Sequence, residues 1–253
     1  NGVGSVNVAE DADDFTRQSA IASWLMSTPF EVLGGKPMSR EQAMGVMGNL
    51  IEESYGANPK AIQGDHSLTR WQDCDNDCVA AFSGGGIAVG ILQWDGNAGD
   101  PRRMNLVKLA REEGKQWYDL SVQLKHIKNE LDGIGSHTYE NSQIKKSGFL
   151  DPGRSVDEYT EMWAKFIERC GTCRMDDRFE AAESFNQAFQ GGGSIAGGSI
   201  STQCVGAGSI DSSSLVQLAL QISYSREEKA AGLGYGVCPK LNNCGDKFSK
   251  PEY

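Results

Sequence analysis

Apolar residues recur at helical spacing in several separate stretches of the chain. The clearest is SREQAMGVMGNLIEES, beginning at Ser39, where apolar residues fall at 43, 44, 47, 50 and 51 and Ser39 stands three positions before Gln42. This pattern predicts a helix opened by a capping box and buried along one face. Upstream, ADDFTRQSAIASWLMS from Ala12 has acidic residues in its first turn and apolar ones at Phe15, Ile21, Ala22, Leu25 and Met26, again an amphipathic helix. Pro101 opens a third, RRMNLVKLAREEG, which closes at Gly114. Leu120, Leu124, Ile127 and Leu131 mark a fourth, ended by Asp132-Gly133. SVDEYTEMWAKFIERC from Ser155 and RFEAAESFNQAF from Arg178 add two more, the first with a Ser155/Glu158 capping box.

Between these helices the periodicity fails in informative places. Asn58 to Gly86 carries no sustained pattern and reads as a long irregular segment, of the kind that often bears function. IAVGILQWDG, from Ile87, reads as a short strand or extended turn, and Gly133 to Pro152 as a polar connection. The whole predicts a mainly α body with a small extended or β region. Residues 1–11 are expected to be disordered and 12–190 to form the main domain. A Gly/Ser-rich linker over 191–214 then leads into a helical tail over 215–253, which resembles the start of a truncated second domain.

Two adjacent glutamates end the Ser39 helix. At about 100° per residue, Glu52 and Glu53 lie roughly 120 to 140° from the centre of the apolar face, on opposite flanks. Glu53 shares its flank with Val46 and Leu50, and Glu52 with Gly45 and Gly48. A carboxyl donates a proton near neutral pH only where its charged form is disfavoured, which selects Glu53. The plainer reading of such a pair is a solvated helix end. Asp65, in the following loop, is the candidate second carboxylate, with Asp95 its rival. Gln93 and Trp94 offer a donor, an acceptor and a flat apolar face suited to an amino sugar, although a tryptophan alone is as often core. His126, beside an apolar stripe, is assigned no catalysis.

GNLIEES, then Asn58-Pro59, then GILQW from Gly90 to Trp94, then Arg102-Arg103 together resemble the phage-tail-type lysozyme family of cell-wall hydrolases. The resemblance extends over roughly residues 13 to 190 and implies a lysozyme-like helical domain with its extended region beside an active-site groove. It also implies that Glu53 is the catalytic acid, that Asn58, Gln93 and Trp94 lie along the substrate, and that Glu168 and Arg178 form an ion pair supporting the site. Val89 stands where the family usually carries an aromatic, and Asn97 to Pro101 lengthen the turn before the arginines. Both departures bear on the shape of the groove.

The chain has 253 residues, 24 basic against 34 acidic, a net charge of -10. No basic run is present to track a phosphate backbone, which argues against nucleic acid as a partner. Its longest apolar runs are too short to span a bilayer, and its N-terminus lacks the features of a leader, which is expected to have been removed or left out. Six of seven cysteines sit in local pairs, Cys74/Cys78, Cys170/Cys173 and Cys238/Cys244, with Cys204 left over. Local pairing points to disulfides and a secreted or cell-surface location; zinc on the first four, or a redox motif at Cys170-Gly-Thr-Cys173, are the alternatives. The run from Asp73 to Asp77 starts like a calcium loop but has Cys78 and Gly84 where glycine and glutamate are required, so no metal and no cofactor are called for.

The expected function is therefore a muramidase cutting between N-acetylmuramic acid and N-acetylglucosamine. A lytic transglycosylase leaving 1,6-anhydro sugars is the alternative, and a non-catalytic wall-binding module of a phage tail or conjugation apparatus is a reading of another class. The expected partners are peptidoglycan and either a second enzymatic domain or that apparatus. The tail carries no histidine and so no Cys-His nucleophile pair.

Overall fold

The computed structural model describes residues 6, 8, 9, 11–82, 87–96, 101–171 and 173–190. The linker and tail expected over 191–253, with Cys204 and the Cys238/Cys244 pair, lie outside the described residues.

The described residues are mainly helical, as expected. Helix α1 (Asp14–Leu25) is capped by Asp13, whose carboxylate accepts from Thr16 N at 2.8 Å. Helix α2 (Arg40–Glu53) opens with the anticipated capping box: Ser39 N donates to Gln42 Oε1 at 2.8 Å and Gln42 N to Ser39 Oγ at 3.2 Å. Then come α3 (Asn76–Ala80), α4 (Arg102–Glu112), α5 (Leu120–Asp132), α6 (Thr138–Ser147), α7 (Val156–Trp163) and α8 (Met175–Gln190). The only β pairings among the described residues are isolated bridges, including Ile62 to Val89 and Val89 to Trp94. These two form the small extended region.

Helix α2 departs from its expected single buried face, because every residue from Gln42 to Ile51 is buried. Two glycines explain this. A Cβ at Gly45 would meet Tyr159 Cβ at 2.7 Å and Thr160 N at 2.8 Å, and one at Gly48 would meet Ala182 Cβ and the Arg178 carbonyl at 2.6 Å. Helices α7 and α8 thus close on the flank that the sequence pattern assigns to solvent, and α2 becomes the central helix of the body.

Two further expectations are corrected. The connection from Gly133 to Pro152 contains α6, which has little apolar periodicity because its buried residues are Glu140, Ile144 and Ser147. Glu140 lies 4.0 Å from Arg102 and 3.9 Å from Arg169, so charge contributes to holding this helix in place. The helix from Ser155 does not run unbroken to Cys170. After Trp163 it widens into a π turn, Ala164–Glu168, ended by Arg169 in the left-handed region at φ 57°. Such turns displace side chains from the α register and recur at functional sites.

Cys74–Cys78 and Cys170–Cys173 are disulfides, which removes their thiolates from the zinc and dithiol alternatives. Asp75 caps α3, accepting from the backbone of Asp77 and Cys78, rather than opening a calcium loop.

Candidate active site

Glu53 is the last residue of α2, and the chain reverses directly after it. Tyr55, Gly56 and Ala57 all take positive φ, at 52°, 88° and 60°. Gly56 N returns to the Ile51 carbonyl at 3.0 Å. Helix α1 holds this turn from outside: Arg17 Nε donates to the Ala57 carbonyl at 3.0 Å and Gln18 Nε2 to the Gly56 carbonyl at 3.0 Å. The glutamate thus leaves a rigid helix end braced by a second helix.

The Glu53 carboxylate meets Arg178 of α8, and the same guanidinium reaches Glu168 at the end of the π turn. Arg178 is itself clamped: Nη1 donates to Asn49 Oδ1 at 2.7 Å and Nε to the Cys173 carbonyl at 2.6 Å. Asn49 Nδ2 in turn donates to Thr160 O at 3.0 Å and Gly45 O at 2.8 Å. One residue along, Glu52 pairs with Arg174 at 2.6 Å.

Exposure separates the three glutamates. The Glu53 side chain is 26% exposed, against 18% for Glu52 and 3% for Glu168. Burial raises the Glu168 carboxyl to about 8, Arg178 opposing and the adjacent Glu53 carboxylate reinforcing the rise. Burial also raises Glu52, against the pull of Arg174.

Behind this cluster lies a second buried one. Arg102 Nε and Nη2 fork onto Glu130 at 2.6 and 2.8 Å, and its Nη1 donates to the Ile167 carbonyl at 3.1 Å, next to Glu168. Burial works to raise Glu130, but Arg102 overcomes it and holds the carboxyl at about 2. The Arg102 of the sequence motif therefore ties the π turn to α5. Arg103 donates to the Phe82 and Ile87 carbonyls at 2.7 Å, and a Cβ on Gly96 would strike its guanidinium at 2.6 Å.

Residues 26–189 match a family model described as phage tail lysozyme. The chain belongs to the phage tail lysozyme family. It is accordingly a glycosidase-type enzyme with lysozyme-like action on peptidoglycan. No curated protein was found to match the chain. No helix among the described residues is long and apolar enough to cross a membrane.

Within this phage tail lysozyme domain the remaining candidates part company. Asp65 is 7% exposed and serves its own loop, accepting from Ser67 Oγ at 2.7 Å and Arg70 N at 2.5 Å. The Arg70 amide and then the Ser67 hydroxyl hold its carboxyl below the usual range. Asn58 accepts from Lys60 N at 2.9 Å, closing the turn after Glu53. Gln93 is half-buried, at φ 47°, and donates to the Gly90 carbonyl at 2.8 Å. Trp94 requires correction. It is fully buried, donates to Glu130 Oε2 at 3.1 Å and packs on His126, so no ring face is open to a sugar. Val89, the departure from the family pattern, is also fully buried in the bridge pairing.

Sequence reasoning passed over two residues near Glu53. Tyr55 is 38% exposed, edge-on to His66 at 5.2 Å, and lies two residues past Glu53, yet it sits in no apolar periodicity. Asn49 belongs to the motif but gives no hint of its bond to Arg178, 129 positions away. A cavity of about 280 Å³ bordered by Arg17, Lys60, Lys115 and Tyr118 lies elsewhere, and neither Glu53 nor Glu168 lines it.

Proposed function

We propose that the chain is a muramidase that cleaves between N-acetylmuramic acid and N-acetylglucosamine, with Glu53 as the general acid. The supporting observation is that Glu53 alone of the carboxyls around Arg178 combines substantial exposure with a fixed origin on a braced helix end. A proton donor must reach the leaving oxygen, and Glu168, at 3% exposure, does not. Asp65, kept ionised by its loop, would stabilise positive charge developing at the sugar. Asn58 and Gln93 would contact the glycan, Tyr55 would supply the aromatic surface that Trp94 does not, and action would be extracytoplasmic.

One observation favours the alternative of a lytic transglycosylase. Both Asp65 oxygens already accept hydrogen bonds, which disfavours Asp65 as the base that activates water. Glu53 would then act alone, and the 6-hydroxyl of the muramic acid would attack in place of water.

Glu53→Gln, folded as the parent, is expected to release no soluble fragments from purified walls. Clearance at the parental rate would refute the assignment. Mass spectrometry of parental digests separates the two chemistries, since anhydro products are lighter by one water.

A further inference from the structure

Arg178 is a single cation shared by the Glu53 and Glu168 carboxyl groups. It is 3% exposed, as is Glu168, so the cluster is largely out of water. With both carboxyls ionised the trio would carry a net negative charge. Among the described residues the neighbouring arginines are engaged with other carboxylates: Arg174 pairs with Glu52 at 2.6 Å and Asp177 at 2.9 Å, Arg169 lies 3.9 Å from Glu140, and Arg102 is forked on Glu130. The charged groups facing Glu168 are thus Arg178 from α8 and Glu53 from α2.

A hydrogen-bond count points the same way. Glu168 Oε1 is buried and receives no donor, while Oε2 receives Arg178. An ionised carboxylate is an acceptor only, and an unmatched buried one is costly. Protonation turns the orphan acceptor into a donor, and the Glu53 carboxylate, held on the same guanidinium, is the acceptor beside it.

We infer that Glu53 and Glu168 hold one proton between them across Arg178, with Glu53 the catalytic member and Glu168 a positioning residue that keeps the proton available at neutral pH. The inference rests on Glu53 being the acid. In turnover the glycosidic C–O bond breaks and the Glu53 proton ends on the leaving hydroxyl. That proton is the shared one, passed from Glu168 through Glu53 to the leaving oxygen, and the proton released by the attacking water, or by the attacking 6-hydroxyl, restores the pair. Two interacting carboxyls of this kind titrate as a pair, the second proton being held to higher pH than either group would hold alone.

The test is the pH dependence of wall clearance by the full chain carrying Glu168→Gln, Glu168→Asp or Glu53→Gln. Glu168→Gln keeps the volume but leaves Glu53 alone with Arg178. Its alkaline limb is expected to move down by about one pH unit or more, costing about tenfold at neutral pH and recovering on acidification, with Glu168→Asp returning part of the limb. Glu53→Gln is expected to be inactive at every pH. An unshifted Glu168→Gln profile with an inactive Glu53→Gln overturns the shared proton alone, whereas an active Glu53→Gln overturns the assignment of the acid. Carbon-13 carboxyl NMR of the parent settles the case if Glu168→Gln does not fold. A glutamate still protonated above about pH 6 is expected, and its absence overturns the inference.

Discussion

Gly48→Ala is the substitution on which the account of the site is most exposed. The new methyl would stand 2.6 Å from both Ala182 Cβ and the carbonyl oxygen of Arg178. Relaxed contact between carbons needs about 3.5 Å or more, so α8 must retreat from α2 by roughly 1 Å. Both contacts are with rigid groups, and no flexible side chain can swing away. Overpacking of this kind costs about 1–3 kcal/mol, while replacing a helical glycine by alanine returns about 1 kcal/mol. The net loss is about 0–2 kcal/mol, or up to about 8 °C in melting temperature. The functional loss should be disproportionate, because the displaced carbonyl belongs to the arginine that holds Glu53 and Glu168. A misplacement of about 1 Å in a catalytic array can cost on the order of a hundredfold in rate. Urea titration followed by circular dichroism gives the stability, and initial rates of wall clearance give the activity. A variant with parental stability and parental rate would refute the claim that glycine at 48 sets the α2–α8 distance and, through it, the site.

Tyr55→Ala is expected to raise KM about two- to tenfold with little change in kcat, the loss of one aromatic contact worth about 0.5–1.5 kcal/mol; an unchanged KM removes Tyr55 from the groove. His126 is fully buried, and burial holds it near 4, below its ordinary 6.5, so the unfolded chain gains its proton first on acidification. Its contribution is therefore present above about pH 6.5 and lost as pH falls through about 4, on the order of 3 kcal/mol. Comparing urea midpoints of the parent and His126→Phe from pH 7 to 4 checks this, and parallel curves contradict it.

The helices, the two capping boxes and the glutamate-bearing end of α2 were legible in the chain because each is a local matter. Helical periodicity and a Ser three residues before Gln or Glu act within a few residues, and α4 and α5 ended near where Gly114 and Gly133 said they would. The motif also named a small set of residues, among them Glu53, Glu168, Arg102 and Arg178. What failed were inferences from one helix considered alone. Glu52 looked like the solvent-side neighbour because Gly45 and Gly48 have no side chain to declare that other helices pack there. Helix α6 went unseen because charged as well as apolar groups are buried along it, and Trp94 looked available because burial is a property of the surrounding body.

Alone, the chain's order of residues determined where most of the long helices lie, which family the domain joins, and which glutamate terminates its central helix. Only the folded body decided that Asn49, Glu53, Glu168 and Arg178, spread over some 130 positions, meet at one guanidinium, and that Glu168 is the buried partner and Glu53 the exposed one. The physical reason is that a carboxyl's protonation depends on how much water and which charges surround it. Those surroundings come from helices distant in sequence, brought within contact by two glycines.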